Sequence, residues 1–224
     1  CMYPLMLALE RNGYTRYDKR VVLKGHTNEV KPYHSYMVIS SHMGLTKDLK
    51  GELETLTSEE NKDGKEIRVV IGTSVASEGL DFKNVRSIHV MEPWRNINKL
   101  EQVIGRGVRN CSHKHLEAEE RNVTIYLHNA MLSGKDQDPK GSFDTYLYRY
   151  SETKASEIGE VEVILREEAI DRCLFENMNM LLKKRDVAPV KVKSAMRHTK
   201  TVYPTDEPYT RVCSFQKTCK IEIQ

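Results

Sequence analysis

No stretch of the 224-residue sequence approaches the roughly 18 to 20 uninterrupted apolar residues that a membrane-spanning helix needs, and its start lacks the basic, apolar and small-residue regions of a secretory signal. A membrane partner and export by that route are therefore not expected. Cysteine is scarce, odd in number and scattered. Cys1, Cys111, Cys173, Cys213 and Cys219 argue against a disulfide framework and for a reducing compartment. Internal repeats and low-complexity tracts are missing as well. So is an initiator methionine, because Cys1 stands in first place, which suggests a piece of a longer polypeptide.

What is there is ordinary globular material, 39% hydrophobic and 30% charged. The length permits one large domain, or a domain of about 150 residues with an appendage. The net charge of +3 is the difference between 35 basic and 32 acidic residues, so it identifies no partner until the charges are located. They segregate late in the chain. Glu152 to Glu176 holds eight acidic and three basic residues, and Lys183 to Lys200 holds seven basic residues against Asp186 alone.

Periodicity supplies the fold class. Pro4 to Gly13 reads as a short helix, with Pro in its first turn and Gly at its end. Strand candidates follow at Tyr36 to Ser40, Ile67 to Gly72, Val85 to Met91 and Asn122 to His128. Between them, Leu45 to Leu56 and Ile97 to Val108 carry apolar residues at helical spacing. Short strands alternating with helices predict an α/β fold with a parallel sheet flanked by helices, and ligands at the carboxyl ends of its strands. After an exposed loop from Asn129 to Ser142, Tyr146, Tyr150, Ile158, Val161, Leu165, Ala169, Cys173 and Leu174 predict a long amphipathic helix. It is expected over Asp144 to Met180, kinked at Gly159, and packed on the sheet by its apolar stripe, with partner docking as the other reading. The domain boundary is placed at residue 141, with 142–224 a mainly helical C-terminal extension and basic tail.

The chemistry concentrates between Arg68 and Asn110. Arg106 and Arg109 are three apart in a helical pattern, so both guanidinium groups leave one face about a turn from each other. Gly105 and Gly107 lower helix propensity and leave room for another surface to approach. Paired arginines suit a transferring phosphoryl group, whose equatorial oxygens carry spread negative charge. The competing reading is a solvated basic face with Glu101 or another carboxylate as partner. Upstream, Thr73 to Glu78 follows a buried strand directly, which places small hydroxyl side chains at the ligand edge of the sheet. Gly79 allows a sharp turn, and Asp81 can accept from a ribose hydroxyl or orient an arginine. Taken alone, Ser77-Glu78-Gly79-Leu80-Asp81 is equally a helix-capping turn.

In order and on consecutive strand-helix units, these elements resemble motifs V (Ile71 to Phe82) and VI (Gln102-x-x-Gly105-Arg106-x-x-Arg109) of the second RecA-like domain of superfamily 2 helicases and translocases. The resemblance spans about Tyr36 to His128. Ser74 to Asn84, Pro93-Trp94 and Glu101 to His113 are similar to the helicases of nucleocytoplasmic large DNA viruses, among them relatives of the poxvirus nucleoside triphosphate phosphohydrolase and early transcription factor small subunit. The segments Phe143 to Arg172 and Asp206 to Cys219 resemble the C-terminal extension of that group more weakly.

The resemblance implies that Arg106 and Arg109 are arginine fingers for the γ-phosphate of ATP and that Gln102 couples the nucleotide to motif VI. It places Gly79, Asp81 and Gly105 on the nucleotide side of a cleft. Thr73 and Ser74 would contact the nucleic-acid backbone, with Ser41, His42 and Gly44 in a further backbone-contacting loop. The expected cofactors are ATP and magnesium. The sequence contains no Gly-x-x-x-x-Gly-Lys-Ser/Thr phosphate loop and no strand-ending Asp-Glu pair. The phosphate cradle and the magnesium would therefore belong mainly to an N-terminal RecA-like domain, and the chain alone is expected not to hydrolyse ATP. Nucleic acid is the expected partner, DNA favoured over RNA, with viral transcription machinery as a further partner and the host cytoplasm or virion as the setting. The rival is a non-catalytic docking subunit of a viral transcription factor.

Three features read weakly. Cys213-x₅-Cys219 lacks the usual zinc spacing and a histidine pair, so no metal site is expected. His113 and His115 read as a surface turn, and Trp94 with Arg95 reads either as a base-stacking platform or as packing. Lys183 to Lys200 reads as a phosphate-binding segment or as a solvated linker.

Overall fold

The first helix, α1 (Met2–Arg11), carries Pro4 in its first turn and ends where Gly13 adopts a left-handed φ of +83°. In the computed structural model, residues 2–19, 34–40, 48–73, 80–131, 141–170 and 187–218 are described. They belong to two compact units, one made of Cys1–Arg86 with Gln102–Val123, the other of Ser87–Glu101 with Thr124–Gln224.

The first unit is built on a parallel sheet of β1 (Tyr14–Arg16), β2 (His34–Ile39) and β3 (Ile67–Gly72), in that order. Alternation along β2 sends Tyr36 and Val38 to one face, where they pack with Met6 and Ile71 under α1. Met37 and Ile39 go to the other face. There they join Ile67, with Leu53 and Leu56 of α2 (Leu49–Thr57) and with Leu80 and Phe82. Both faces of the central strand are thus covered, as expected for a parallel sheet. Asp48 caps α2 by accepting from Gly51 N at 3.0 Å. The turn into β3 is fastened by Asn61, which is 5% exposed. Its amide donates to Leu56 O and Ile67 O and accepts from the backbone N–H groups of Glu66 and Ile67 at 2.9 and 3.0 Å. The helix expected from Leu45 begins at Leu49 among the described residues, and 45–47 lie outside them.

The second unit holds a parallel pair, β4 (Ser87–Val90) and β5 (Thr124–Leu127). It also holds α4 (Phe143–Glu167) and an antiparallel hairpin of β6 (Val190–Lys193) and β7 (Thr199–Val202). Helix α3 (Ile97–Gly107) runs from the second unit's residues into the first unit's. The architecture is therefore parallel α/β with flanking helices, as the alternating pattern predicts.

The expected length of α4 is overturned. The helix ends at Glu167, and 168–170 are not helical. The remainder of the expected span, 171–180, lies outside the described residues. The buried side of α4 is a line of small residues, Ser151, Ala155 and Gly159. Tyr146, Tyr150, Ile158, Val161 and Leu165, expected in the core, are exposed. The physical reason is close approach: the chain at 212–216 lies against the small-residue line. Arg166 donates to Val212 O and Ser214 Oγ, and Gln216 Nε2 donates to Ser156 O. The extension is also less helical than expected, since the basic segment folds as a hairpin at 190–202.

Candidate functional site

The carboxyl edge of the three-stranded sheet places Thr73 directly after β3. Its N–H donates to Ile39 O at 3.1 Å, and its hydroxyl faces the same carbonyl at 3.5 Å. Thr73 is thus fixed beside the end of β2, at the sheet edge where ligands of open α/β folds bind. Ser74 and Gly79, and Ser41, His42 and Gly44 after β2, lie outside the described residues.

After residue 79, Leu80 and Phe82 pack against the core cluster of Met37, Ile39 and Ile67, and the chain between them is tied to the end of α3. Phe82 N–H donates to Arg106 O at 3.3 Å, and Arg106 Nη1 donates to Leu80 O at 3.3 Å. Asp81 sits between these two residues with its carboxylate outward, and Arg109 Nη1 lies 3.2 Å from its Oδ1. The sequence-predicted residues Asp81, Gly105, Arg106 and Arg109 therefore converge at one place.

The arginines do not share a helix face as the spacing predicts. Helix α3 ends at Gly107, and Arg109 belongs to the following turn. Ser112 causes this: its hydroxyl donates to Arg109 O at 2.8 Å and accepts from Arg109 N at 3.3 Å, while Cys111 takes a left-handed φ of 60°. From the turn, the Arg109 side chain folds back so that Nε donates to Gly105 O at 3.3 Å. The two guanidinium groups thus reach the Leu80–Asp81 segment from different backbone directions. Gln102 lies on α3 with its side chain exposed.

The competing reading of the arginines asks for Glu101 or another carboxylate as partner: Glu101 pairs with Arg211 at 2.9 Å, and the carboxylate that Arg109 meets is Asp81. The Asp81–Arg109 pair is open to solvent, its side chains 54% and 41% exposed. A pair so placed contributes at most about 1 kcal/mol and can be exchanged for another anion at little cost. Gly105 has no internal packing role, because a Cβ built on it meets nothing within 4 Å.

Sequence reasoning missed the supporting shell. His113 contacts Ser112 Oγ through Nδ1 at 2.8 Å and Val85 O through Nε2 at 2.6 Å, so it braces the turn that holds Arg109 rather than standing in a free surface turn. His115 pairs with Glu59 at 3.5 Å. Asn84, in a left-handed conformation with φ 57°, donates its N–H to Ser112 O at 3.0 Å. The signal available in the sequence was the Ser112-His113 dipeptide just after the motif. No group of three or more metal-ligating side chains occurs among the described residues. Cys213 is buried and disulfide-bonded, against the reading that the scattered cysteines form no disulfide framework; Cys111 is free and exposed, and Cys219 lies outside the described residues. No helix among the described residues is long and apolar enough to cross a membrane.

Residues 17–111 match the helicase conserved C-terminal domain, a segment that contains β2, β3, α3 and both arginines. A protein of Acanthamoeba polyphaga mimivirus, named as an ATP-dependent RNA helicase, is 35% identical over 130 residues, 58% of this chain and 22% of that protein. One of Invertebrate iridescent virus 3, named as a helicase, is 25% identical over 181 residues, 81% of this chain and 18% of the relative. A homologue of the early transcription factor large subunit from African swine fever virus is 36% identical over 119 residues, 53% of this chain and 10% of its own length. The matches thus cover only about a fifth or less of these relatives' lengths.

Proposed function

We propose, for a chain whose residues 17–111 match the helicase conserved C-terminal domain, that it is the second motor domain of an ATP-dependent nucleic-acid helicase or translocase. In this reading residues 1–141 form the motor domain and 142–224 its extension. The observation that carries it is the meeting of Arg106 and Arg109 at the Leu80–Asp81 segment, with an exposed carboxylate as the present occupant of Arg109. A phosphate fits where a carboxylate is already held, because a guanidinium presents the same fork to both.

ATP supplies the phosphoanhydride bond, and magnesium, held mainly by an N-terminal RecA-like domain, neutralises its phosphates. On this side of the cleft Arg106 and Arg109 offer permanent positive charge to the transferring group, and Ser112 with His113 keeps Arg109 aimed. Release of Asp81 from Arg109 would remove one of three ties between the Leu80–Phe82 segment and the end of α3. Thr73, at the strand edge of the motif V loop, then changes its hold on the nucleic-acid backbone. Closure of two domains is in this way linked to stepping. The resemblance would assign Gln102, Gly79 and Gly105 to the nucleotide, and Ser74, Ser41, His42 and Gly44 to the nucleic acid.

The experiment is ATP turnover of the full-length protein with Arg106→Ala and with Arg109→Ala. Each should lower turnover by something on the order of a hundredfold while nucleic-acid affinity changes little. Normal turnover in both variants would refute the motor reading. It would favour the other reading, a non-catalytic docking subunit of a transcription factor; one relative is named as an early transcription factor large subunit homologue.

A further inference from the structure

The hairpin of β6 and β7 is the most one-signed surface in the chain. From Val187 to Thr205 there is no aspartate or glutamate, while Lys191, Lys193, Arg197 and Lys200 fall within 10 residues. The register pairs Lys191 with Thr201 and Lys193 with Thr199. Side chains of directly opposed residues share a face, so these two lysines and two threonines form one surface. Val190, Val192 and Val202 take the opposite face, paired as Val190 with Val202 and Val192 with Lys200. The hairpin therefore has a lysine-hydroxyl side and a mostly apolar side, on which Lys200 is the one cation and stands next to the tip.

Its tip is held by local hydrogen bonds. Ser194 N–H donates to His198 O at 2.9 Å, Arg197 N–H to Ser194 O at 2.9 Å, and His198 N–H to Ser194 Oγ at 3.2 Å. Arg197 occupies the left-handed position with φ 62°, a place where glycine or asparagine costs less. A long cation is thus kept at the end of the ribbon beside Met196, which is 67% exposed. Lys191, Arg197 and Lys200 are all exposed, and among the described residues none of them meets a carboxylate. Four like charges on a ribbon this short repel one another, and an extended polyanion relieves that repulsion. Threonine hydroxyls between the lysines add donors suited to phosphate oxygens.

We infer that the β6–β7 hairpin is a nucleic-acid-binding element that grips the sugar-phosphate backbone through Lys191, Lys193, Arg197 and Lys200, without reading base sequence. It lies outside the segment that matches the helicase domain. The inference takes only the identity of the polyanion from the proposed function; the ATP chemistry of Arg106 and Arg109 is not involved.

The test is fluorescence anisotropy of the 224-residue chain with labelled single-stranded DNA, duplex DNA and RNA across a salt series. Lys191→Ala with Arg197→Ala and Lys200→Ala should weaken binding roughly tenfold or more. It should also reduce the slope of log affinity against log salt by about 2 to 3, since each phosphate contact contributes about 0.7 to 0.9. Arginine in place of Lys191 and Lys200 should keep wild-type affinity and slope, which separates lost charge from a misfolded hairpin. Lys50→Ala with Lys62→Ala and Lys65→Ala removes the same charge elsewhere and should change neither. An unchanged slope in the hairpin variant, an equal loss in the control, or equal binding of anionic phospholipid vesicles would each overturn the inference. Those outcomes are separate from failure of the motor reading, which shows as normal ATP turnover in the arginine-finger variants.

Discussion

Arg109 bonds Asp81 at 3.2 Å, and the two residues come from the two segments that the sequence marks most strongly. The pair is a link between the loop after β3 and the turn after α3. Because both side chains are substantially exposed, it adds little to stability, and its value lies in aiming a cation that another anion can claim.

Asp81→Ala should accordingly change the folding free energy of the chain by less than about 1 kcal/mol. In the full-length protein the same substitution should lower ATP turnover, because Arg109 loses the group that orients it before the nucleotide arrives. Thermal unfolding beside a turnover assay measures both. A large loss of stability would mean that the pair is structural, and turnover equal to the parent would remove Asp81 from the site.

Gly105 is a helix-interior glycine whose small size nothing among the described residues requires. A Cβ there has open space, and its φ is not in the left-handed region. Alanine should therefore stabilise the chain by about 0.5 to 1 kcal/mol through helix propensity alone. If Gly105 is kept small for a partner surface or a nucleotide, the same variant should lose turnover in the full-length protein. A variant both less stable and fully active would contradict the argument on both counts.

The parts of the fold that could be read from the sequence are those where one physical cause acts alone. Ile67 to Gly72 is a β-branched run between turn signals and forms β3 with the expected bounds. The apolar pattern from Ile97 forms α3 in the same way. Prediction failed where a second cause intervened. The spacing of Arg106 and Arg109 implied a continuous helix, but Ser112 captures the backbone of Arg109 and stops it. The large apolar residues of α4 read as core, yet the line that touches the rest of its unit is Ser151, Ala155 and Gly159, whose small size carries no hydrophobic signal. In the basic segment, the alternation Val190-Lys191-Val192-Lys193 is a strand pattern that the charge count obscured.

A pH dependence follows from His89, whose Nδ1 lies 2.9 Å from His128 Nε2 while its ring stacks on Tyr126. Desolvation first, and the neighbouring imidazole second, hold His89 below the ordinary value of 6.5. His34 moves in the same direction, through desolvation and then the charge of Arg68. Above 6.5 these groups are neutral in both folded and unfolded chains and cost nothing. As pH falls through 6.5 the unfolded chain takes up protons that the folded chain resists, so stability drops until the depressed folded values are passed. Thermal midpoints should therefore be lower at about pH 5.5 than at about pH 7.5, and His89→Gln should shrink the difference. A midpoint that rises on acidification would contradict the assigned direction.

Gly159 makes the opposite case to Gly105, although both are glycines inside helices. A Cβ on Gly159 would overlap the carbonyl oxygen of Ser214, and the Ser214 carbonyl carbon would be 2.8 Å away. Ser214 has no room to yield. It is fully buried, its hydroxyl accepts from Arg166, and Gln216 Nε2 ties the same segment to Ser156 O at 2.8 Å. Alanine at 159 gains about 1 kcal/mol of helix propensity but must push this segment off the helix. Overpacking costs typically run to about 1 to 3 kcal/mol, more where backbone is the obstacle, so the net effect should be destabilising. The thermal midpoint should fall by several degrees, since about 1 kcal/mol corresponds to 2 to 4 °C at this size. Measured together, Gly105→Ala should raise the midpoint and Gly159→Ala should lower it. A rise in both would show that the segment around Ser214 does not lie on α4.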